Sequence, residues 1–491
     1  MGAGLFSCQV YIPQNKRNFF FFVKLAAELS SCTIIIMKFY TGGIKNLKVS
    51  VIGAGVSGQG LALLAHELGA EVFVSEQKKI SDDVKKLFAE NKIAYEEEGN
   101  SQKVFDGVDE ILISSGIPPQ SEILHEAEKR GVKMTGELDY AIPHVKTQNL
   151  VCVTGSNGKS TVTSLIGHIL NKAGLKAGAG GNLGTASSTF TRENFDAVVL
   201  ELSSFQLARA KNNLGSKVAI ITNLAPDHID WHGSYENYVE AKSRVLSLRD
   251  TEGWGIIQAR DFDTLKPSGK IIVLSWERES KNQIFMGENE AELILDGVTQ
   301  KLFAYDDTTL IGSHNLENVA MSLCAVKLLG VDISNVKFLL EGFKPLPHRC
   351  EDAGILNGVQ YIDDSKGTNV AATITAMKCI KGRKVIILGG QGKGEDYSPL
   401  AEAVKEECDY AVLIGEEAGK IQAALERANF MNFKRASNME EAVNISSELA
   451  NPGMVVLLSP ACTSWDMYKS YKARGEHFCK IVREKINSWK S

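Results

Sequence analysis

The segment Thr154-Gly155-Ser156-Asn157-Gly158-Lys159-Ser160-Thr161 combines residue types and a spacing suited to holding a phosphate chain. Its glycines let backbone N–H groups converge on phosphate oxygens at a helix N-terminus. Lys159 neutralises β- and γ-phosphates, and Ser160 or Thr161 offers a hydroxyl to Mg²⁺. It departs from the common P-loop at one position, where Val153 stands five residues before Gly158 in place of glycine. Two further segments carry metal chemistry. Ala197-Val198-Val199-Leu200 is a buried-type strand ending in Glu201, the place for a Mg²⁺-binding acid. Ile220-Ile221-Thr222 runs on into Asp227-His228-Ile229-Asp230, where His228 reads equally as a ligand or as a structural histidine. Lys242, taken alone, reads as a solvated lysine on a helix.

Positioning such groups requires strands that stop at a turn and helices that start there. Three times an apolar strand meets a glycine-rich turn: Val49–Ile52 before Gly53-Ala54-Gly55-Val56-Ser57-Gly58, Leu150–Val153 before the segment above, and Val385–Leu388 before Gly389-Gly390-Gln391-Gly392-Lys393-Gly394. Leu61, Leu64, Ala65 and Leu68 behind the first turn, and Val162, Leu165, Ile166, Ile169 and Leu170 behind the second, have helical spacing. Further strands are predicted at Glu71–Ser75, Glu110–Ser114, 196–200, 218–222, Val359–Ile362, Tyr410–Ile414 and Val455–Leu458. This alternation predicts an α/β fold with largely parallel sheets and ligands at strand C-termini. Taken alone, Gly53-x-Gly55-x-x-Gly58 with Glu76 at the end of the next strand fits an NAD site, another nucleotide site or a purely structural turn.

The 491 residues exceed one core and suggest about three domains at ~150 residues each. Apolar residues at 44% and charged ones at 23% exclude wholesale disorder, and 44 Gly without a G-X-Y period exclude a collagen-like chain. A net charge of −5 gives no support to nucleic-acid binding. Nine cysteines without metal-like spacing read as reduced structural thiols of a cytoplasmic protein. Residues 1–36 differ from the rest, with a net charge of +2 and the run Phe19–Val23 behind a basic patch. Lys24 and Glu28 interrupt that run, so neither a signal peptide nor a membrane span fits. The stretch reads as an upstream extension or mis-called start, the working protein beginning near Met37.

From about residue 46 onward the chain resembles the Mur ligase family, ATP-dependent amide ligases of peptidoglycan precursor synthesis. The resemblance rests on the 154–161 turn, Gly180-Gly181-Asn182-Leu183-Gly184, Glu201-Leu202-Ser203-Ser204-Phe205-Gln206-Leu207 and Asp227-His228-Ile229-Asp230. It continues through Tyr238-x-x-Ala241-Lys242, His314-Asn315-Leu316-Glu317-Asn318, Leu346-Pro347-His348-Arg349, Asp363–Asn369 and Ser459-Pro460-Ala461-Cys462-Thr463-Ser464. The Glu201–Leu207 and Ser459–Cys462 stretches point to the D-glutamate-adding branch rather than to diaminopimelate-, lysine- or folate-acting relatives.

The resemblance implies three domains: a Rossmann-like UDP-sugar domain (37–135), a central P-loop ATPase-like domain with a parallel sheet (136–345) and a Rossmann-like amino-acid domain (346–491). It implies transfer of D-glutamate to UDP-N-acetylmuramoyl-L-alanine through an acyl phosphate, in the cytoplasm, by a monomer with no stable membrane association. ATP would contact Gly155, Ser156, Asn157, Gly158, Lys159, Ser160, Thr161, Asn315, Asn318, Arg349 and Asp364. Arg349, from the third domain, would couple chemistry to domain closure. Val56, Ser57, Ser114, Gly116, Asn182 and His228 would hold the UDP-sugar, so its pyrophosphate replaces NAD at the first turn. Thr368, Lys393, Ser464 and Tyr471 would hold D-glutamate, with Tyr471 standing where Phe is usual. Two Mg²⁺ sites are implied, one on Ser160 and Glu201, the other on His228 and a carbamylated Lys242. Lys159, His228, Lys242 and Lys366 would be the catalytic set.

Overall fold

The computed structural model describes residues 47–278, 282–310, 312–344 and 346–490, so the reading of residues 1–36 lies outside the described residues. Three sheets organise the chain. The first holds β1 (Lys48–Ile52), β2 (Glu71–Ser75), β3 (Ala94–Glu96), β4 (Glu110–Ile113) and β5 (Lys133–Gly136) in the order β3-β2-β1-β4-β5, all parallel. Helix α1 (Val56–Glu67) follows β1, and α2 (Glu137–Ala141) leaves β5 for the second sheet.

The second sheet has nine strands, from β6 (Leu150–Thr154), β7 (Ala177–Gly181), β8 (Ala197–Glu201) and β9 (Val218–Ile221) through β10 (Trp254–Gln258), β11 (Ile271–Ser275) and β12 (Gln283–Met286) to β13 (Glu290–Leu295) and β14 (Val298–Ala304). Its helices include α3 (Lys159–Lys172), α4 (Ser204–Arg209), α5 (Ile229–His232), α6 (Tyr235–Ser247) and α7 (Ser313–Leu328). β6 lies between β8 and β9, so the 154–161 turn opens at a point where strand order reverses. The pair β12–β13 and the hairpin β13–β14 are antiparallel, an extension beyond the predicted parallel strands. Asp296-Gly297 between the last two strands is the sequence signal for that hairpin, and both residues take positive φ, 50° and 81°.

The third sheet runs β15 (Glu351–Leu356), β16 (Val359–Asp363), β20 (Val455–Leu458), β17 (Lys384–Gly389), β18 (Cys408–Ile414) and β19 (Phe433–Arg435). Only β15–β16 is antiparallel. Helix α8 (Val370–Cys379) and the final helix α9 (Tyr471–Lys490) flank it. The predicted α/β class with parallel-rich sheets is therefore what forms. Aliphatic strands explain the burial: Val151, Val153, Val199, Ile220, Ile386 and Leu457 are fully enclosed between helices. Among the described residues no helix is long and apolar enough to cross a membrane.

The first turn illustrates how tightly sequence is bound to this geometry. A Cβ on Gly58 would lie 1.8 Å from the Gly53 carbonyl oxygen. Gly58→Ala must therefore move α1 away from β1, an overpacking change worth about 3 kcal/mol. Thermal unfolding should show a lowered Tm and a first unit that melts before the rest.

Candidate active site

The C-terminal ends of β6, β8 and β9 deliver the 154–161 turn, Glu201 and the 222–230 loop to one cleft, and turns of the third sheet close over it. Lys159 donates from Nζ to the Gly155 and Ser156 carbonyl oxygens, both at 2.7 Å. Lys366 Nζ, from the turn after β16, donates to Ser160 Oγ at 2.9 Å. Asn369 Nδ2 reaches Asn157 Oδ1 and Asp227 Oδ2, each at 3.3 Å. Lys393 Nζ donates to Asp227 Oδ1 at 2.6 Å and lies 3.5 Å from Thr368 Oγ1. Lys242 is not a solvated lysine: it is 2% exposed on α6, donating to the Gly155 carbonyl at 2.8 Å beneath the Tyr238 ring.

These contacts bring most of the expected residues together. Asn318 and Asn315 pair at the start of α7 at 3.3 Å. Tyr471 lies 5.2 Å under Lys366 Nζ. Asp364 is buried and accepts from Ser459 at 2.6 Å. Ser464 Oγ and Arg349 Nε are buried with no hydrogen-bond partner, a state suited to groups that await a ligand. A cleft of about 380 Å³ beside Ser464 is lined by residues that include His228, Asp230, Lys393, Glu417, Thr463 and Trp465. Val56, Ser57, Ser114 and Gly116 sit apart, at the α1 N-terminus and the end of β4. A larger cleft of about 910 Å³ opens beside that corner, bounded by Gly53, Ser75, Gln77, Asn100 and Ile117. Glu76, the acid of the NAD alternative, accepts from Ala54 N at 2.7 Å and Lys78 N at 2.9 Å, so it braces the glycine turn itself.

Crowded cations set the electrostatics. Burial, and then repulsion from Arg349, brings Lys366 down to about 7. Burial also lowers Lys159, and lowers Lys242 well below the ordinary lysine value. Burial alone would raise Asp227, but Lys393 and His228 override it and hold the carboxyl at about 2. Burial pushes His228 down to about 3, so its ring is neutral and offers a lone pair. His228 also takes a left-handed backbone, φ 52°, strain of the kind that functional corners carry.

The donor set can be tested against Mg²⁺. Glu201 is 2% exposed; its Oε1 accepts from Asn182 Nδ2 at 2.9 Å, while Oε2 is buried without a partner. An orphaned carboxylate oxygen beside the Ser160 hydroxyl suits a hard, oxygen-seeking cation. A protonated lysine cannot ligate a cation; the Lys242 carbamate would, and burial favours the unprotonated amine that adds CO₂.

Glu395 escaped the sequence reading. Burial lifts its carboxyl to about 7 although Val370 N donates to Oε2 at 2.8 Å, and Oε1 has no partner. A carboxyl raised on folding contributes stability below its unfolded value near 4.5 and loses it as pH rises through 7. Glu395→Gln removes that loss. The Tm difference between variant and wild type should grow between pH 4.5 and 7 and then level off, at a few degrees.

Residues 48–123 match the MurD N-terminal domain model, 153–326 the Mur ligase middle domain and 348–462 the Mur ligase glutamate ligase domain. A UDP-N-acetylmuramoylalanine--D-glutamate ligase of Fervidobacterium nodosum is 34% identical over 441 residues, covering 89% of this chain and 99% of that protein. The chain belongs to the Mur ligase family. The enzyme of the same name from Bacteroides thetaiotaomicron is 32% identical over 443 residues, with the same coverage of both chains. Among solved Mur ligases, the UDP-N-acetylmuramate-alanine ligase MurC of Thermotoga maritima aligns over 91% of this chain and 99% of its own, with TM-score 0.55 and 17% identity. The MurF ligase of Thermotoga maritima, solved with ADP, aligns over 85% and 95% with TM-score 0.53 and 16% identity. At those identities the structures speak for the Mur ligase fold alone.

Two Mur ligase residues in the cleft were missed as site members, Asp227 and Asn369. Asp227 stood in the Asp-His-x-Asp cluster and Asn369 at the end of Asp363–Asn369, so the signal was present. What the sequence lacked was their meeting across the cleft.

Proposed function

We propose that this chain is the ATP-dependent ligase that joins D-glutamate to UDP-N-acetylmuramoyl-L-alanine in cytoplasmic peptidoglycan precursor synthesis. The observation that carries the reading is the convergence of Lys159, Lys366, Lys393 and Arg349 on one cleft beside an orphaned Glu201 oxygen and a neutral His228. Residues 37–135 take the UDP-sugar, 136–345 the ATP and 346–491 the amino acid. A single chain carries every group the chemistry needs, so a monomer suffices.

A carboxylate is a poor electrophile, and phosphorylation gives it a leaving group. The alanyl carboxylate attacks the γ-phosphorus and ADP departs. The amine of D-glutamate then attacks the acyl carbon, and the tetrahedral intermediate expels phosphate, which takes up the amine's proton and leaves as hydrogen phosphate. Lys159 and Arg349 meet the charge that spreads over the transferred phosphoryl group. Lys366, held at Ser160, is placed to follow that group onto the carboxylate. Lys393 with Thr368, Ser464 and the Tyr471 ring form the acceptor for a dicarboxylate, with cation and hydroxyl donors suited to it. Ser160 and Glu201 would hold one Mg²⁺, and His228 with carbamylated Lys242 a second; bound there, the ions neutralise phosphate charge and polarise the phosphoryl oxygens.

The test is phosphate release with Mg·ATP and UDP-N-acetylmuramoyl-L-alanine, with and without D-glutamate, set against L-glutamate, L-lysine and meso-diaminopimelate. Release that requires D-glutamate, with the amide product seen by mass, is the expected result. Release driven by another amino acid moves the specificity within the family. No turnover with any acceptor overturns the reading.

A further inference from the structure

Glu137 is an acid that neither the sequence motifs nor the proposed chemistry uses. It opens α2 directly after β5, where the chain leaves the first sheet for the second. It is 4% exposed. Its carboxylate accepts three side-chain hydrogen bonds: from Ser57 Oγ at 2.6 Å and Gln206 Nε2 at 2.9 Å, both on Oε2, and from Ser187 Oγ at 3.2 Å on Oε1. Ser57 is the second residue of α1, in the first unit. Ser187 and Gln206 belong to the second.

Both ends of this bridge are themselves fixed. Gln206 Oε1 accepts from Ser203 N at 2.9 Å, which leaves only its Nε2 to donate toward Glu137. Ser203 Oγ in turn accepts from Gln206 N at 3.2 Å, completing a capping box two residues beyond Glu201. On the other side, α1 presses directly onto the 186–188 turn. A Cβ on Gly60 would lie 2.4 Å from Ser188 Oγ and 2.8 Å from Ala186 Cβ, and Arg192 pairs with Glu67 at 2.8 Å. The helix is thus seated on the second unit along its length, and Glu137 sets its N-terminal end.

We infer that Glu137 is a positioning residue: its carboxylate locks the α1 N-terminus, through Ser57, to the Gln206–Glu201 corner, and so fixes the distance between the phosphates of the UDP-sugar and its reacting carboxylate. The inference rests on the proposed function, in which that helix end receives the pyrophosphate. The Ser57 hydroxyl proton is committed to Glu137, and its oxygen faces Ser115 N at 3.4 Å. What remains for a phosphate is the backbone N–H groups at the helix start, aimed only as well as Glu137 holds them. An anchor at one end of a long substrate positions the other end only if the two units are rigidly joined, and an error of about 1 Å at the reacting atom costs roughly 10²-fold.

Three variants test this in the full chain with the steady-state ligase assay. Glu137→Ala strands three buried donors and should raise KM for UDP-N-acetylmuramoyl-L-alanine about tenfold or more while KM for ATP stays within about twofold. Glu137→Gln keeps an oxygen for Ser57 and Gln206 and offers its amide N–H to Ser187 Oγ, so it should restore KM to within about threefold of wild type. If Glu137→Ala does not fold, Glu137→Asp takes its place, withdrawing the carboxylate by one methylene and raising the same KM several-fold. A lowered Tm with kcat and both KM values unchanged, or a parallel rise of both KM values, means that the bridge is merely structural and overturns the inference. A wild-type protein without activity overturns the proposed function instead, and the two failures are told apart before any variant is made.

Discussion

Lys159→Met lowers turnover by about 10³-fold, a loss of roughly 4 kcal/mol of transition-state stabilisation, while thermal stability holds or rises. The first half follows from position: the ammonium is held at 2.7 Å from two carbonyls of the phosphate-binding turn and has no competing carboxylate within hydrogen-bonding reach. The second half follows from burial, which lowers the pKa of Lys159, so that keeping it charged in the folded state costs free energy that methionine does not incur. Steady-state kinetics and a melting curve on one preparation check both halves. A variant that loses activity only because it unfolds would fail the expectation.

Asp227→Asn should reduce kcat/KM for D-glutamate by about 10²-fold, close to 3 kcal/mol, with smaller changes for ATP and the UDP-sugar. Asp227 neutralises Lys393 at 2.6 Å and steadies Asn369 at 3.3 Å, and both partners come from the third unit. Removing one partner of a buried pair leaves the other charge uncompensated, and such losses reach about 3–5 kcal/mol. The sign of the pH effect is fixed as well. Asp227 is held at about 2, below its ordinary 3.8, so the pair contributes stability above pH 4 and loses it as pH falls toward 2. Asp227→Asn should therefore be less stable than wild type at pH 6, and the gap should narrow on acidification through that window.

How far the sequence led is clearest at individual positions. The three strand-to-glycine turns became β1, β6 and β17, because a fully buried parallel strand is a continuous aliphatic run and needs no partner to be recognised. Lys159, Ser160, Glu201, His228, Lys242 and Lys366 were legible because each lies in a short motif whose local backbone sets its direction. Lys242 looked like a surface residue by composition, and only the family motif placed it inside. The antiparallel β12–β14 extension was overlooked despite Asp296-Gly297, since the polar, exposed first half of β14 breaks the aliphatic pattern of the buried strands. Glu395 and Glu137 were invisible for a different reason. Each acquires its partners across a gap of 25 to 80 residues, and no local pattern encodes an approach of that kind.

The cluster of lysines and Arg349 has a kinetic consequence as well as a chemical one. Cations held between low-dielectric walls focus their field outward and draw anions toward them before any contact forms, against the opposing field of Asp227 and Glu201 in the same cleft. All the substrates proposed here carry negative charge, so encounter is steered, though the protein as a whole carries a net −5. That attraction extends only about 8 Å at physiological ionic strength. Added salt therefore slows capture of the substrates far more than it slows the reaction of those already bound.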